Sequence, residues 1–472
     1  MAASVLHDLL QPSSIAIVGA SDRPRPDFIG GLRALGFKGD VYAVNPRYTE
    51  VLGLKCYPNL LQVPGPVDYV ISAIPAAAVP AMIDDCAKKG VKVAHLYSAR
   101  FAETGRPQDA ELEMEVLRRA RKGGVRVIGP NCMGLYRPGL GIGWSGDFPR
   151  QSGPIAMASQ SSYAAHDLIL LGTPRGMRFS KVVGYGNALD FNECDFLEYF
   201  TEDPETKVIL MYVEGVKDGR RFLSGLRRAA KIKPVIIVKG GKGEAGARAA
   251  ASHTASLAGS MQPWRAAVAQ AGAIFADGLD EMVDYGISFS FIESISGPNV
   301  GISGTGGGPG VLAADQCEEA GLRVAPLPDE IRQELKSRGT DIWDWVGNPV
   351  DMTILGGGLA PGELLHMMGR NRQFDVLISI ISDPHNRDRI GPFEGEAYLD
   401  RQGLSEIKEK PLLVVVPDKS LDIAELDLWT TKFLCDIRTR LVAARVPVYP
   451  TVARAARCAR AVIDFYRQKQ ET

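Results

Sequence analysis

Short apolar runs, each closed by glycine, proline or asparagine, recur along the chain with amphipathic stretches between them. The first covers 14–18 and ends in Gly19-Ala20-Ser21; the next covers 39–44 and ends in Asn45-Pro46-Arg47. Runs at 67–74, 91–97 and 125–128 follow, with helical spacing over about 77–89 and 108–122. The runs are continuous rather than alternating, which is the pattern of parallel strands covered on both faces. The series restarts at 153–159 and continues through 179–184, a helix over 193–201, and strands at 207–213 and 234–239. It restarts again at 299–303, with a helix to about 320 and strands at 375–381 and 411–416. Three successive α/β units are expected, over 1–140, 150–295 and 296–472.

Composition sharpens this only in places. A chain of 472 residues is too long for a single core. The 51 glycines and 30 prolines suit an α/β enzyme with short connections. Net charge is −1, so nothing marks a polyanion-binding surface. No apolar run is long enough to span a membrane and no signal-peptide pattern opens the chain. The seven cysteines are scattered without a CxxC pair and read as the reduced, mostly buried thiols of a cytoplasmic protein. The six histidines show no ligand spacing, so no protein-bound metal is expected. Trp343 and Trp345 read either as interface residues or, the safer assumption, as core.

Candidate chemistry lies at the strand ends. In the first unit five loops follow the strands: Gly19-Ala20-Ser21-Asp22-Arg23, Asn45-Pro46-Arg47, Ile74-Pro75, Ser98-Ala99-Arg100 and Gly129-Pro130-Asn131. Open α/β sheets bind ligands there, so a Rossmann-like site is expected. The glycine turn lacks GxGxxG, and Arg47 stands where a dinucleotide site carries an acid. NAD is therefore disfavoured, while NADP and coenzyme A stay open. In the second unit Gln160-Ser161-Ser162-Tyr163 opens a helix whose free amides suit a phosphate. Glu214 ends a strand, where a carboxylate can orient an imidazole or merely start a helix. His253 sits among small residues in Ala251-Ser252-His253-Thr254, after a Gly/Lys-rich loop. It reads either as an incidental residue of a helix N-terminus or as a nucleophile that carries a phosphoryl group.

Taken in order, several stretches resemble the nucleoside-diphosphate-forming acyl-CoA synthetases, relatives of succinyl-CoA synthetase. They are Ile17-Val18-Gly19-Ala20-Ser21, Tyr42-Ala43-Val44-Asn45-Pro46, Gly129-Pro130-Asn131-Cys132-Met133-Gly134, Ser159-Gln160-Ser161, Asp203-Pro204-Glu205-Thr206, Val213-Glu214-Gly215 and Ala251-Ser252-His253-Thr254. The resemblance implies a CoA-binding Rossmann-like domain followed by two flavodoxin-like domains. It implies CoA on the first-unit loops, a phosphohistidine at His253 paired with Glu214, and phosphate on the amides at Ser161 and Ser162. It also places His166 near the acyl group. No clear arginine pair awaits a dicarboxylate, so the acyl group reads as a monocarboxylate.

Three positions depart from the family pattern. Ser162 replaces a glycine where phosphate approaches backbone, Ala255-Ser256 replaces Gly-Ala, and Arg100 replaces a glycine of the CoA loop. These residues include no ATP-grasp region and no GxxxxGK[ST] loop. The resemblance thus implies an α-type subunit in an oligomer, with ATP or ADP and Mg2+ held by a separate ATP-grasp subunit. Two rival readings are a non-catalytic CoA-binding protein and an NADP-dependent reductase.

Overall fold

The computed structural model describes residues 6–7, 10–22, 26–246, 261–351, 360–381, 399, 403–417 and 429–470. His253, Arg23, the triple glycine at 356–358 and the polar run at 383–389 lie outside the described residues. The chain divides into two compact units. One holds Met1–Thr173 and Met177–Met282; the other holds Pro174–Gly176 and Val283–Thr472.

The first unit contains two sheets. Its first has strands β1 (Ser14–Val18), β2 (Asp40–Val44), β3 (Glu50–Val51), β4 (Leu54–Tyr57), β5 (Tyr69–Ser72), β6 (Val93–Leu96) and β7 (Arg126–Ile128). They lie in the order β3-β4-β2-β1-β5-β6-β7, all parallel except the short β3. Without β3 this is the 3-2-1-4-5-6 order of a dinucleotide-binding fold. Ala16, Val44, Val70, Ala94 and Val127 on the strands pack against Ile83, Val116 and Leu117 on the helices Val79–Lys89 and Pro107–Gly123.

The second sheet holds β8 (Gly134–Tyr136), β9 (Ile155–Ser159), β10 (Phe179–Gly184), β11 (Val208–Val213), β12 (Val235–Lys239) and β13 (Ile274–Ala276). Its order is β13-β12-β11-β9-β10-β8, with β8 antiparallel on the edge. The five parallel strands thus follow the flavodoxin order 2-1-3-4-5. β8 already belongs to this sheet, although residues up to 140 read by sequence as part of the first unit. Every residue of β9 and β12 is buried, as their unbroken apolar runs require.

The other unit carries β14 (Asn299–Ser303), β15 (Arg323–Val324), β16 (Val376–Ile380), β17 (Leu412–Val415) and β18 (Val448–Tyr449). These are all parallel, in the order β15-β14-β16-β17-β18, again 2-1-3-4-5. At Gly304, φ is +101° and an added Cβ would stand 2.2 Å from the Ile380 carbonyl oxygen. Glycine is required there for the turn itself, before any ligand is considered. Trp343 packs half-buried on the core of this unit, but Trp345 is 70% exposed and corrects the expectation of a core residue. The stretch around it is a run of turns, so apolar character alone did not bury it.

Candidate active site

The strand ends of the first unit open onto a cavity of about 770 Å³. Ile74, Pro75, Ser98, Ala99, Arg100 and Asn131 reach it from the first sheet. Ser161, Ser162, Tyr163 and His166 reach it from the start of the helix Ser162–Gly172, which follows β9. Two groups of candidates from different sheets therefore share one chamber.

The loops of the first sheet are stitched together by short polar contacts. Ser98 Oγ donates to the Ile74 carbonyl, and the Asn131 N–H donates to the Ser98 carbonyl at 3.0 Å. The backbone of Arg100 is left-handed, with φ +78°. Glu103 holds it there, its carboxylate accepting the N–H groups of Arg100 and Phe101. The amide of Asn187, after β10, donates to Glu103 at 2.7 Å and to Glu113 at 2.9 Å. This buried set fixes the Arg100 loop against the second sheet. Burial pushes the Glu113 carboxyl upward, against the hydrogen bonds from Asn187 and Ala102.

Gly19 lies just behind the cavity wall, and a Cβ there would stand 2.5 Å from the Ala73 carbonyl oxygen. Ala20 and Asn45 are joined through the Asn45 side chain, which donates to the Ala20 carbonyl at 2.8 Å. Asn45 also accepts the Arg47 N–H at 3.0 Å. Ser21 is half-buried, and Pro46 and Arg47 are exposed. These residues border the sheet edge beside the cavity and do not line it. Pro130 is buried, and its carbonyl accepts the Asn187 N–H at 3.1 Å.

The phosphate candidates divide into two kinds. Ser161 caps the helix, its hydroxyl accepting the Ala164 N–H at 3.2 Å, a contact that stabilises a helix by about 1 kcal/mol. Ser162 and Tyr163 occupy the first turn, with amide groups that the helix itself leaves unused. The Ser162 hydroxyl turns toward the Gly129–Gly134 loop and accepts the Met133 N–H at 2.8 Å. Gln160 is buried outside the cavity wall. Its side-chain oxygen accepts the N–H groups of Glu214 at 2.5 Å and Gly215 at 2.9 Å. The chemical reason is local: β9 and β11 are neighbours, and their ends need a partner where the ladder stops.

Glu214 itself is buried at the end of β11. Beside it lie Tyr212 and the end of β12, where a Cβ on Gly240 would stand 3.1 Å from Glu214 Cγ. Lys239 is fully buried there, its ammonium donating to the Gly240 carbonyl. Burial pulls its pKa down, and the nearby Glu214 charge opposes the shift. Lys239 looked like an ordinary strand-end lysine in the sequence; only the topology brings it beside Glu214. Also unforeseen were Asp27, Tyr97, Met133, Trp144 and Ser145 in the cavity wall. Trp144 and Ser145 follow β8 in a segment with no motif of its own. Among the described residues no cluster of His, Cys, Asp or Glu suits a metal ion.

Two domain families match the chain: the CoA binding domain over residues 13–138 and the succinyl-CoA ligase like flavodoxin domain over 152–288. The chain is 36% identical to the acetate–CoA ligase [ADP-forming] I subunit alpha of Pyrococcus furiosus, covering 87% of this chain and 89% of that one. It is 37% identical to acetate–CoA ligase [ADP-forming] I of Archaeoglobus fulgidus over 81% of this chain, and spans 56% of that longer protein. In structure it resembles the dinucleotide-forming acetyl-coenzyme A synthetase 1 of Ca. Korarchaeum cryptofilum, solved with phosphate and ADP. That likeness has a TM-score of 0.78 at 31% identity, covering 98% of this chain and 97% of the other. No helix among the described residues is long and apolar enough to cross a membrane. With its CoA-binding domain, its ligase-type flavodoxin domain and relatives of this closeness, the chain belongs to the family of ADP-forming acyl-CoA synthetases.

Proposed function

We propose that this chain is the α-type, CoA- and phosphoryl-handling part of an ADP-forming acyl-CoA synthetase. The observation that carries the reading is the shared cavity, which puts the Ile74, Ser98 and Asn131 loops opposite the amides of the Ser162–Gly172 helix. CoA enters along those loops, with Gly19, Ala20, Ser21, Asn45, Pro46, Arg47 and Pro130 shaping the edge of its site. Arg23 belongs to the same set. Inorganic phosphate rests on the first-turn amides at Ser161, Ser162 and Tyr163, where the helix dipole favours an anion. Gln160 serves from behind by fixing the backbone of Glu214.

A phosphate oxygen attacks the thioester carbonyl carbon, the C–S bond breaks, and CoA leaves as its thiolate and takes a proton. The His253 imidazole nitrogen then attacks the phosphorus of the acyl phosphate, and the P–O bond to the acyl group breaks to release the carboxylate. Glu214 keeps the imidazole in the tautomer that presents a bare nitrogen. A separate ATP-grasp subunit, with Mg2+, passes the phosphoryl group to ADP; the reverse direction makes the thioester. The seven unpaired cysteines suit a reducing, cytoplasmic setting.

The test uses the purified chain with labelled inorganic phosphate and a panel of acyl-CoAs. Acid-labile, base-stable label on the wild type and none on His253→Asn is the expected result. Label that persists on His253→Asn would overturn the mechanism. A chain that binds CoA but takes no label, even with ATP and an ATP-grasp partner, would be a binding protein instead.

A further inference from the structure

We infer that the acyl group of the substrate is aromatic, an aryl or arylalkyl acyl thioester held by ring contacts at the far end of the cavity. The inference rests on the proposed function, which fixes two points inside the chamber. The CoA sulfur arrives past Ile74 and Ser98, and the attacking phosphate sits on the amides of the Ser162–Gly172 helix. The thioester carbonyl must lie between them, so the acyl tail continues along the remaining wall.

Four aromatic side chains line the cavity: Tyr97, Trp144, Tyr163 and His166. Tyr163 and His166 stand one helical turn apart on the same helix and both line the cavity. Trp144 lines the cavity as well, and its ring lies 5.2 Å from that of Phe148. The Phe148 ring in turn lies 5.4 Å from that of His166. Trp144 and His166 therefore flank one buried phenyl group and form a continuous surface with it. Tyr97 adds a fourth ring to the lining, backed by Phe28 at 5.7 Å between ring centroids. Burial raises the Tyr97 phenol, and the nearby Tyr163 phenol raises it further.

The polar content of the wall points the same way. Among the described lining residues Arg100 is the only arginine or lysine, and it stands on the CoA loop. A second carboxylate on the acyl chain would find no guanidinium pair at the ring end. An acetyl group would leave the exposed ring of Tyr163 and the partly exposed ring of His166 uncovered. A flat ring covers them, and stacking or edge contacts between rings add to the area that is buried. The indole N–H of Trp144 is buried without a hydrogen-bond partner among the described groups.

Binding reads this out without turnover. In phosphate-free buffer, titration calorimetry compares CoA, acetyl-CoA, benzoyl-CoA and phenylacetyl-CoA on the intact chain. The expected result is an aryl thioester bound about tenfold more tightly than acetyl-CoA, the gain of roughly one ring contact. His166→Ala is expected to narrow that ratio to about threefold, and Trp144→Leu to narrow it as well. His166 is partly exposed, so its variant keeps the test open should Trp144→Leu fail to fold. CoA bound with acetyl- and aryl-CoA indistinguishable would overturn this inference and leave the proposed function standing. No binding of CoA in any form would overturn both.

Discussion

The hydroxyl of Ser162 accepts the backbone N–H of Met133 at 2.8 Å, joining the start of the helix Ser162–Gly172 to the loop that closes the first sheet. The sequence suggests that a side chain here crowds an incoming phosphate, because the family carries glycine. The structure turns that side chain away from the amides and gives it a partner. Ser162→Ala removes the acceptor and leaves the Met133 N–H to water. The expected outcome is a loss of about 1 kcal/mol, read as a fall of about 2–4 °C in Tm. Phosphate-dependent labelling should slow as well. If crowding were the dominant effect, Ser162→Ala and Ser162→Gly would both label faster than the wild type.

Gln160 offers a sharper test because one oxygen satisfies two amides, the buried one of Glu214 and the partly buried one of Gly215. Gln160→Leu leaves both without that acceptor. Each orphaned amide costs about 1–3 kcal/mol, so a loss on the order of 2–4 kcal/mol is expected. Denaturant unfolding measures that loss. Labelling should drop much further than CoA affinity does, since Glu214 moves while the Ser98 and Asn131 loops keep their own contacts. An equal loss of both would show that Gln160 supports the whole domain rather than the position of Glu214.

The strands and their continuous burial were legible because a parallel strand needs only a short apolar run. The first-sheet loops were legible for the same reason, since topology fixes where strand ends go. Harder to read was which side chains turn into the cavity. Nothing in Gln160-Ser161-Ser162 distinguishes a residue that lines the cavity from one that braces Glu214; that depends on β9 lying next to β11. Trp144, Lys239 and Asn187 were invisible as site residues because their partners lie on other elements; Asn187 and Glu113, for example, are 74 positions apart. Trp345 shows the opposite failure, an apolar residue whose turn leaves it outside.

Buried carboxylates near the same loops give a pH signature. Glu193 is fully buried, and burial raises its pKa above the ordinary value of 4.5, although Lys217 and two backbone amides oppose the rise. A raised carboxylate binds its proton more tightly in the folded state. Its contribution to stability is therefore present at low pH and is lost as pH rises from about 4.5 through the folded pKa. Glu193→Gln keeps the shape and removes the charge. The expected outcome is a variant with a higher Tm than the wild type at pH 8 and an equal one near pH 4. A lower Tm at pH 8 would mean that the Lys217 attraction outweighs burial.

His95 and Gly134 make the last prediction, and its sign in pH is the reverse. The His95 ring is 1% exposed, and burial lowers its pKa to about 4. It stays neutral, its Nε2–H donating to the Cys132 carbonyl over 2.9 Å. A lowered histidine contributes stability that is complete above its ordinary value of 6.5 and is lost as pH falls toward 4. Gly134 stands against this ring with φ +75°, and a Cβ there would lie 2.5 Å from two of its atoms. Gly134→Ala therefore meets both a left-handed backbone and an occupied space, for a loss of about 2–4 kcal/mol. His95→Ala relieves the clash but not the backbone, so Gly134→Ala should cost less in the His95→Ala background than in the wild type. Chemical denaturation of the two singles and the double at pH 7.5 measures the coupling. Strictly additive losses would show that the ring does not confine Gly134. Below pH 6 the wild type should lose stability faster than His95→Ala, because only the wild type has a buried imidazole to charge.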